Sequence, residues 1–227
     1  AQAMTQNSHP LIMVRTKAQS EATHSAVCAK LGWAVRVVYN PLIEIKPVNV
    51  ALPNDMARPF VFTSQNAVEI ATNTTDQRGV AICVGATVSA SATQAGFDVQ
   101  QVFDTAEYMI ASGLPNDFTY LRGRQVSRDL DIYGGQSFVL YEQEPVSLRP
   151  ETLAIMATGG VIPIYSQNAA MRLRDALDGK RTNATVICIS KKVANRLDSA
   201  QFRSIDVANS PTSGEMVGSI AEALKLA

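Results

Sequence analysis

An excess of charge of either sign is missing from this chain: Lys and Arg number 20, Asp and Glu number 20, and the formal net charge is zero over 227 residues. With no basic field, nucleic acid is not an expected partner, and any bound anion must be held by local placement. No apolar run approaches the ~20 residues of a membrane span, so no membrane partner is expected either. Cysteine is scarce. Cys28, Cys83 and Cys188 lack metal-ligand spacing, and two of them sit in apolar strand-like runs. They read as reduced thiols, with neither a disulfide nor a metal site expected. Histidine is scarcer still: His9 lies near the start and His24 within a helical pattern, where it reads as a surface residue. A histidine base is therefore not expected. There is no Walker loop, no Gly-x-Gly-x-x-Gly fingerprint and no Gly-x-Ser-x-Gly elbow, so a nucleotide cofactor and that hydrolase chemistry have no sequence support. Paired catalytic carboxylates are not evident, since Glu44, Glu142 and Glu144 fall in proline-bounded pieces and read as solvated. The stretch 1–9 is polar, has no signal-peptide core, and is expected to be an expression remnant running into a frayed terminus.

What is present is a phrase used twice. Phe60-Val61-Phe62-Thr63-Ser64-Gln65-Asn66-Ala67 is an apolar β-forming run that breaks into a helical pattern, with Ser64 at the N-cap position. The same turn returns at Ile162-Pro163-Ile164-Tyr165-Ser166-Gln167-Asn168-Ala169. A second echo has nearly the same separation: Ala81–Gly85 leads into a helix much as Val186–Ser190 does. Two strand-turn-helix repeats at matching offsets predict two similar halves.

The rest of the chain alternates in the same way. Apolar content of 46% and charged content of 18% suit a globular chain with a sizeable core. Short apolar strands at Leu11–Val14, Ala34–Tyr39, Phe60–Phe62, Ala81–Val84, Asp98–Phe103, Phe118–Leu121, Val161–Ile164, Thr185–Ile189 and Phe202–Val207 are separated by helices of roughly ten residues. Gln125–Tyr133 has room for at most two helical turns. This reads as α/β, with parallel sheets carrying helices on both faces. Two proline-bounded extended pieces, 41–46 and 139–145, are candidate crossings between domains. Residues 1–40 then rejoin 146–227 in one discontinuous domain, and 47–138 form an inserted second domain.

In open parallel sheets ligands bind at the carboxyl ends of the strands. The residues predicted there are Arg15, Thr63, Ser64, Asn66, Gly85, Thr87, Arg122, Gly123, Ser166, Asn168, Ser190 and Lys191. They are hydroxyls, small residues, helix starts and cations, with carboxylates almost absent. Free N–H groups at helix N-termini suit carboxylate or phosphate, so the expected site is a cleft for an anionic small molecule. Each has a plainer reading too: Ser64 and Ser166 as caps, Gly85 and Gly123 as turn residues, the arginines as surface charge. Tyr141, in the second proline-bounded piece, either packs between domains or offers a phenol to a departing oxygen.

Taken in order, several pieces resemble the uroporphyrinogen-III synthase family: Met13-Val14-Arg15-Thr16, Tyr39-Asn40-Pro41-Leu42-Ile43-Glu44-Ile45, Phe62–Val68, Val84-Gly85, Ala95-Gly96-Phe97, Tyr120-Leu121-Arg122-Gly123, Val139-Leu140-Tyr141-Glu142 and Ala208-Asn209-Ser210-Pro211-Thr212. The resemblance implies two flavodoxin-like parallel-sheet domains with helices on both faces, joined by a two-strand linker. It implies a cytoplasmic, monomeric, cofactor-free lyase of haem biosynthesis. Its substrate would be the linear tetrapyrrole hydroxymethylbilane, which loses water and closes with the last pyrrole inverted, through a spiro intermediate. Tyr141 falls on the family's tyrosine, the favoured proton donor to the leaving hydroxyl. Two places depart from the family pattern. Val88 stands where a threonine is frequent, with Thr87 one residue earlier, and 124–135 is short for a helix. These departures favour the alternative, a non-catalytic two-lobed protein that binds an anionic small molecule.

Overall fold

A computed structural model describes residues 9–126 and 128–226. Residues 1–8, and with them most of the expected frayed terminus, lie outside the described residues, as does Ser127. The strands are β1 (Leu11–Met13), β2 (Val37–Tyr39), β3 (Ile43–Pro47), β4 (Phe60–Phe62), β5 (Val80–Val84), β6 (Asp98–Phe103), β7 (Thr119–Gly123), β8 (Gln136–Pro145), β9 (Val161–Ile164), β10 (Thr185–Cys188) and β11 (Ser204–Val207). The α-helices are α1 (Lys17–Leu31), α2 (Gln65–Thr74), α3 (Ala86–Gln94), α4 (Ala106–Ala111), α5 (Pro150–Thr158), α6 (Gln167–Leu177), α7 (Lys191–Ala194) and α8 (Ser213–Leu226). The chain divides into two compact units, Ala1–Glu44 with Pro145–Ala227, and Ile45–Glu144. The chain passes from one unit to the other within β3 and β8, both of which end in proline.

The discontinuous unit holds a five-stranded sheet in the order β11-β10-β9-β1-β2, with every registered pair parallel. β1 and β9 are wholly buried because both faces of the sheet are covered, which is why they read as unbroken apolar runs. On one face Val27 of α1 packs with Met216, Ile220 and Leu224 of α8. On the other, Met156 of α5, Leu173 and Leu177 of α6 and Val193 of α7 pack against Ile12, Ile162 and Val186. Each such fully buried side chain stabilises the unit by about 1.5–3 kcal/mol.

The inserted unit holds a six-stranded sheet in the order β3-β8-β7-β4-β5-β6. Its registered pairs from β8 to β6 are parallel. The rungs Val48 N–H to Leu140 and Val146 N–H to Leu42 recede as they advance, so β3 runs antiparallel to β8. Phe60, Phe62 and Phe97 cluster under α2 and α3 with ring centroids 4.9–6.4 Å apart, Phe60 and Phe62 stacked and Phe97 edge-on to both. Met109 of α4 covers Val61, Ile82 and Tyr120 on the other face.

When β9 is laid on β4, as the repeated phrase dictates, the two sheets have one spatial order: β11-β10-β9-β1-β2 against β6-β5-β4-β7-β8. The repeat is therefore architectural.

Two local expectations are corrected. Gln125–Tyr133 contains no α-helical turn among its described residues, only a 3-10 turn at Asp131–Tyr133 ended by Gly134. Arg128, in this stretch, meets Glu107 at 3.0 Å. His24 is not a free surface residue: its Nε2 lies 2.8 Å from the Val35 carbonyl and its Nδ1 3.3 Å from the Tyr39 hydroxyl, tying α1 to β2. Cys83 and Cys188 are buried free thiols, which burial pushes up to about 11 and about 12.

Candidate functional site

In both units the predicted residues fall at the carboxyl ends of parallel strands, where open sheets bind ligands. In the inserted unit, β4 ends at Phe62 and the alternation of the strand carries Thr63 and Ser64 toward opposite faces. Each meets a tyrosine. Thr63 Oγ1 lies 2.9 Å from the Tyr120 hydroxyl, and the Tyr141 hydroxyl donates to Ser64 Oγ at 2.8 Å. Tyr120 and Tyr141 are 2% and 3% exposed, whereas Thr63 and Ser64 are only half-buried. Burial raises the Tyr141 phenol above its ordinary value, opposed by its hydrogen-bonding interactions with Ser64 and Asn66. Tyr120 is raised for the same reason, opposed by Thr63 and Arg122.

Gly123 explains how Tyr141 fits. It pairs with Tyr141 across β7 and β8, and a Cβ there would stand 2.6–2.9 Å from the phenol's ring carbons and oxygen. Arg122 is tethered by Nη1 donating to the carbonyls of Gly123 at 3.1 Å and Arg124 at 3.2 Å. Its Nε is buried with no partner among the described residues. Gly85, at φ +92°, supplies the backbone turn that starts α3. Thr87 is exposed in the first turn of that helix, whereas Val88 is buried in the apolar core.

In the discontinuous unit, the strand order reverses between β9 and β1, and a cavity of about 230 Å³ opens there. The register between these strands is a single pair, Leu11 with Val161, and Pro163 has no N–H to extend it. The walls include Val14, Arg15, Thr16, Pro163, Tyr165, Ser166 and Arg172. The Arg15 guanidinium sits 3.8 Å over the centre of the Tyr165 ring. Burial lowers both Arg15 and Arg172 from the usual guanidinium value, with Tyr165 opposing the shift at Arg15. Ser166 Oγ accepts the Ala169 N–H at 3.1 Å, and Ser190 Oγ accepts the Val193 N–H at 3.4 Å. Both are true side-chain caps. Asn168 and Lys191 are exposed in the first turns of α6 and α7.

One sequence expectation changes at this point. Ser64 holds the N-cap position of α2, but its side chain makes no cap bond, and its hydroxyl is engaged by Tyr141. Tyr141, on β8, packs in the core of the six-stranded sheet. The sequence reading also missed Tyr120 and Arg172 as parts of these strand ends. The period-2 spacing of Tyr120 and Arg122 on β7 was the available signal for the former; Arg172, one turn inside α6, had none.

A family model described as Uroporphyrinogen-III synthase HemD matches residues 23–218. Among solved structures, the uroporphyrinogen-III synthetase of Helicobacter pylori 26695 aligns with a TM-score of 0.61 at 15% identity, covering 96% of this chain and 100% of that one. A mutant uroporphyrinogen III synthase of the extremely thermophilic bacterium Thermus thermophilus aligns with a TM-score of 0.50 at 15% identity, covering 97% and 100%. No curated protein matches significantly in sequence. At such identity the structural likeness speaks for the fold alone.

Proposed function

We propose, from the premise that this chain belongs to the uroporphyrinogen-III synthase family, that it is a hydro-lyase cyclising hydroxymethylbilane to uroporphyrinogen III. The family match over residues 23–218 carries this reading. Support from the geometry lies in what the strand ends offer: hydroxyls, helix starts and guanidinium groups, the right chemistry for a substrate bearing carboxylates on every ring. The proposed contacts are Arg15, Ser166, Asn168, Ser190 and Lys191 in one unit, and Thr63, Ser64, Asn66, Gly85, Thr87, Arg122 and Gly123 in the other. Tyr141 is the proposed source of the proton for the leaving hydroxyl. Little acid–base power is needed, since the pyrrole nitrogen's electron pair drives the hydroxyl out. Holding a floppy chain in one conformation is the larger task.

The finer architecture belongs to the same proposal: two flavodoxin-like domains, 1–40 with 146–227 and 47–138, joined by 41–46 and 139–145. The order 2-1-3-4-5 in the discontinuous unit is the flavodoxin order, and the inserted unit has the same set begun at another strand. We take the enzyme to be cytoplasmic, monomeric and cofactor-free; among the described residues no helix is long and apolar enough to cross a membrane. The non-catalytic alternative is not favoured. Val88, one of the departures that suggested it, is a core-packing position with Thr87 exposed beside it. The test is product identity: hydroxymethylbilane incubated with the protein should yield the type III isomer above the spontaneous type I. Dominance of type I would end the assignment.

A further inference from the structure

The serine at position 64 is at a helix start and does not cap it. An N-cap hydroxyl left out of its cap forgoes the stabilisation that capping gives a helix. Its counterpart Ser166, in the same four-residue phrase, makes that bond. Ser64 Oγ instead receives the proton end of Tyr141, from a strand 77 residues away in sequence. The phenol is 3% exposed and packed against Gly123, which shields it from solvent. The half-buried end of the pair is the serine. Ser64 accepts from Tyr141, which leaves its own O–H to be donated outward.

We propose that Ser64 is the catalytic residue that protonates the departing hydroxyl, and that Tyr141 is a positioning residue that refills it through their hydrogen bond. This rests on the synthase reading above and deepens it. The electron pair of the terminal pyrrole nitrogen expels the hydroxyl as the carbon–oxygen bond breaks. The Ser64 proton goes to that oxygen, giving water, and the Tyr141 proton passes to Ser64 Oγ. When the ring closes, the proton that a pyrrole carbon releases passes to Ser64 Oγ as the Ser64 proton moves back to the phenolate, and the pair returns to its starting state. A buried phenol is a poor acid alone, and a second hydroxyl in line lets it act without being uncovered. Thr63 with Tyr120 repeats the arrangement on the opposite face of the sheet, but Thr63 lies in line with Val61 and Ser64 does not.

The test uses the full chain with hydroxymethylbilane. Ser64→Ala and Tyr141→Phe should each lower kcat by about 10²-fold, the usual scale for one proton-transfer group, with KM little changed. The double variant should be no slower than either single one, because both interrupt one path. Ser64→Thr, which keeps a hydroxyl, should recover most of the rate. In mixtures of light and heavy water the unmodified protein should show a rate dependence of two protons in flight, and Tyr141→Phe of one. If Ser64→Ala keeps full kcat while Tyr141→Phe does not, the phenol acts directly and the relay is wrong. Additive losses in the double variant would overturn it as well. An unmodified protein that makes no type III isomer would remove the synthase function itself, a result distinct from either of these.

Discussion

The two Ser-Gln-Asn-Ala turns share a sequence, a position after a buried strand and a place in one strand order, yet their side chains do different things. Ser166 closes its own helix and Tyr165 beside it lies under Arg15. Ser64 leaves its helix uncapped and joins Tyr141, while Thr63 joins Tyr120. One turn has become a rim for a cation-lined cavity; the other holds two buried phenols. A repeated motif therefore keeps its backbone and helix entry, and its hydroxyl is free to be reassigned by whichever strand packs beside it. In the inserted unit that strand is β8, which reaches Ser64 only because Gly123 has no side chain in the way.

This contrast can be broken most severely at Gly123. Gly123→Ala should cost about 3 kcal/mol in urea unfolding, the upper end of overpacking penalties, and should sharply reduce formation of the type III product by displacing Tyr141. Gly85→Ala, which meets open space but a positive φ, should cost only about 1 kcal/mol.

The buried thiols offer a second comparison, one in each unit. Cys83 and Cys188 start from 9.0 and are raised to about 11 and about 12 by burial. Above pH 9 the unfolded chain sheds protons that the folded chain keeps, so stability is full below that pH and falls as pH rises. The slope is up to about 1.4 kcal/mol per pH unit for each thiol. Tyr120 and Tyr141 act with the same sign above 10. Cys188→Ala should flatten the alkaline limb over a wider range than Cys83→Ala, measured as the slope of unfolding free energy against pH.

Arg15→Gln should raise KM for the tetrapyrrole about tenfold, or about 1.4 kcal/mol, with kcat within twofold, if the cavity at β1 and β9 binds carboxylate and performs no chemistry. A loss confined to kcat would assign the discontinuous unit a role in the chemical step. The smallest and most diagnostic difference is between the caps. Ser166→Ala should lower stability by about 1 kcal/mol with modest kinetic effect. Ser64→Ala should cost less stability than that and far more turnover. Equal stability losses would mean that both serines are caps after all.

Much of the architecture was legible because it is local. Strand runs such as Phe60–Phe62 and Val161–Ile164 are apolar throughout since both faces of a parallel sheet are covered, and their helices begin where Ser64 and Ser166 interrupt them. The strand ends Arg15, Thr63, Ser64, Arg122 and Ser166 follow from that pattern alone. The 3-10 turn after Arg124 was misread because its polar residues carry no period strong enough to separate a loop from a short helix. Arg128 in the same stretch is held by Glu107, which comes from another element, α4.

By itself, then, the chain determines where elements start and stop, that they alternate, and that the pattern is used twice, because these depend on the spacing of neighbours along the backbone. Only the tertiary structure decides which hydroxyl meets which phenol. Tyr141 and Ser64 are distant in sequence and adjacent only because β8, β7 and β4 lie side by side, and such a pairing is a property of strand order that no local spacing encodes.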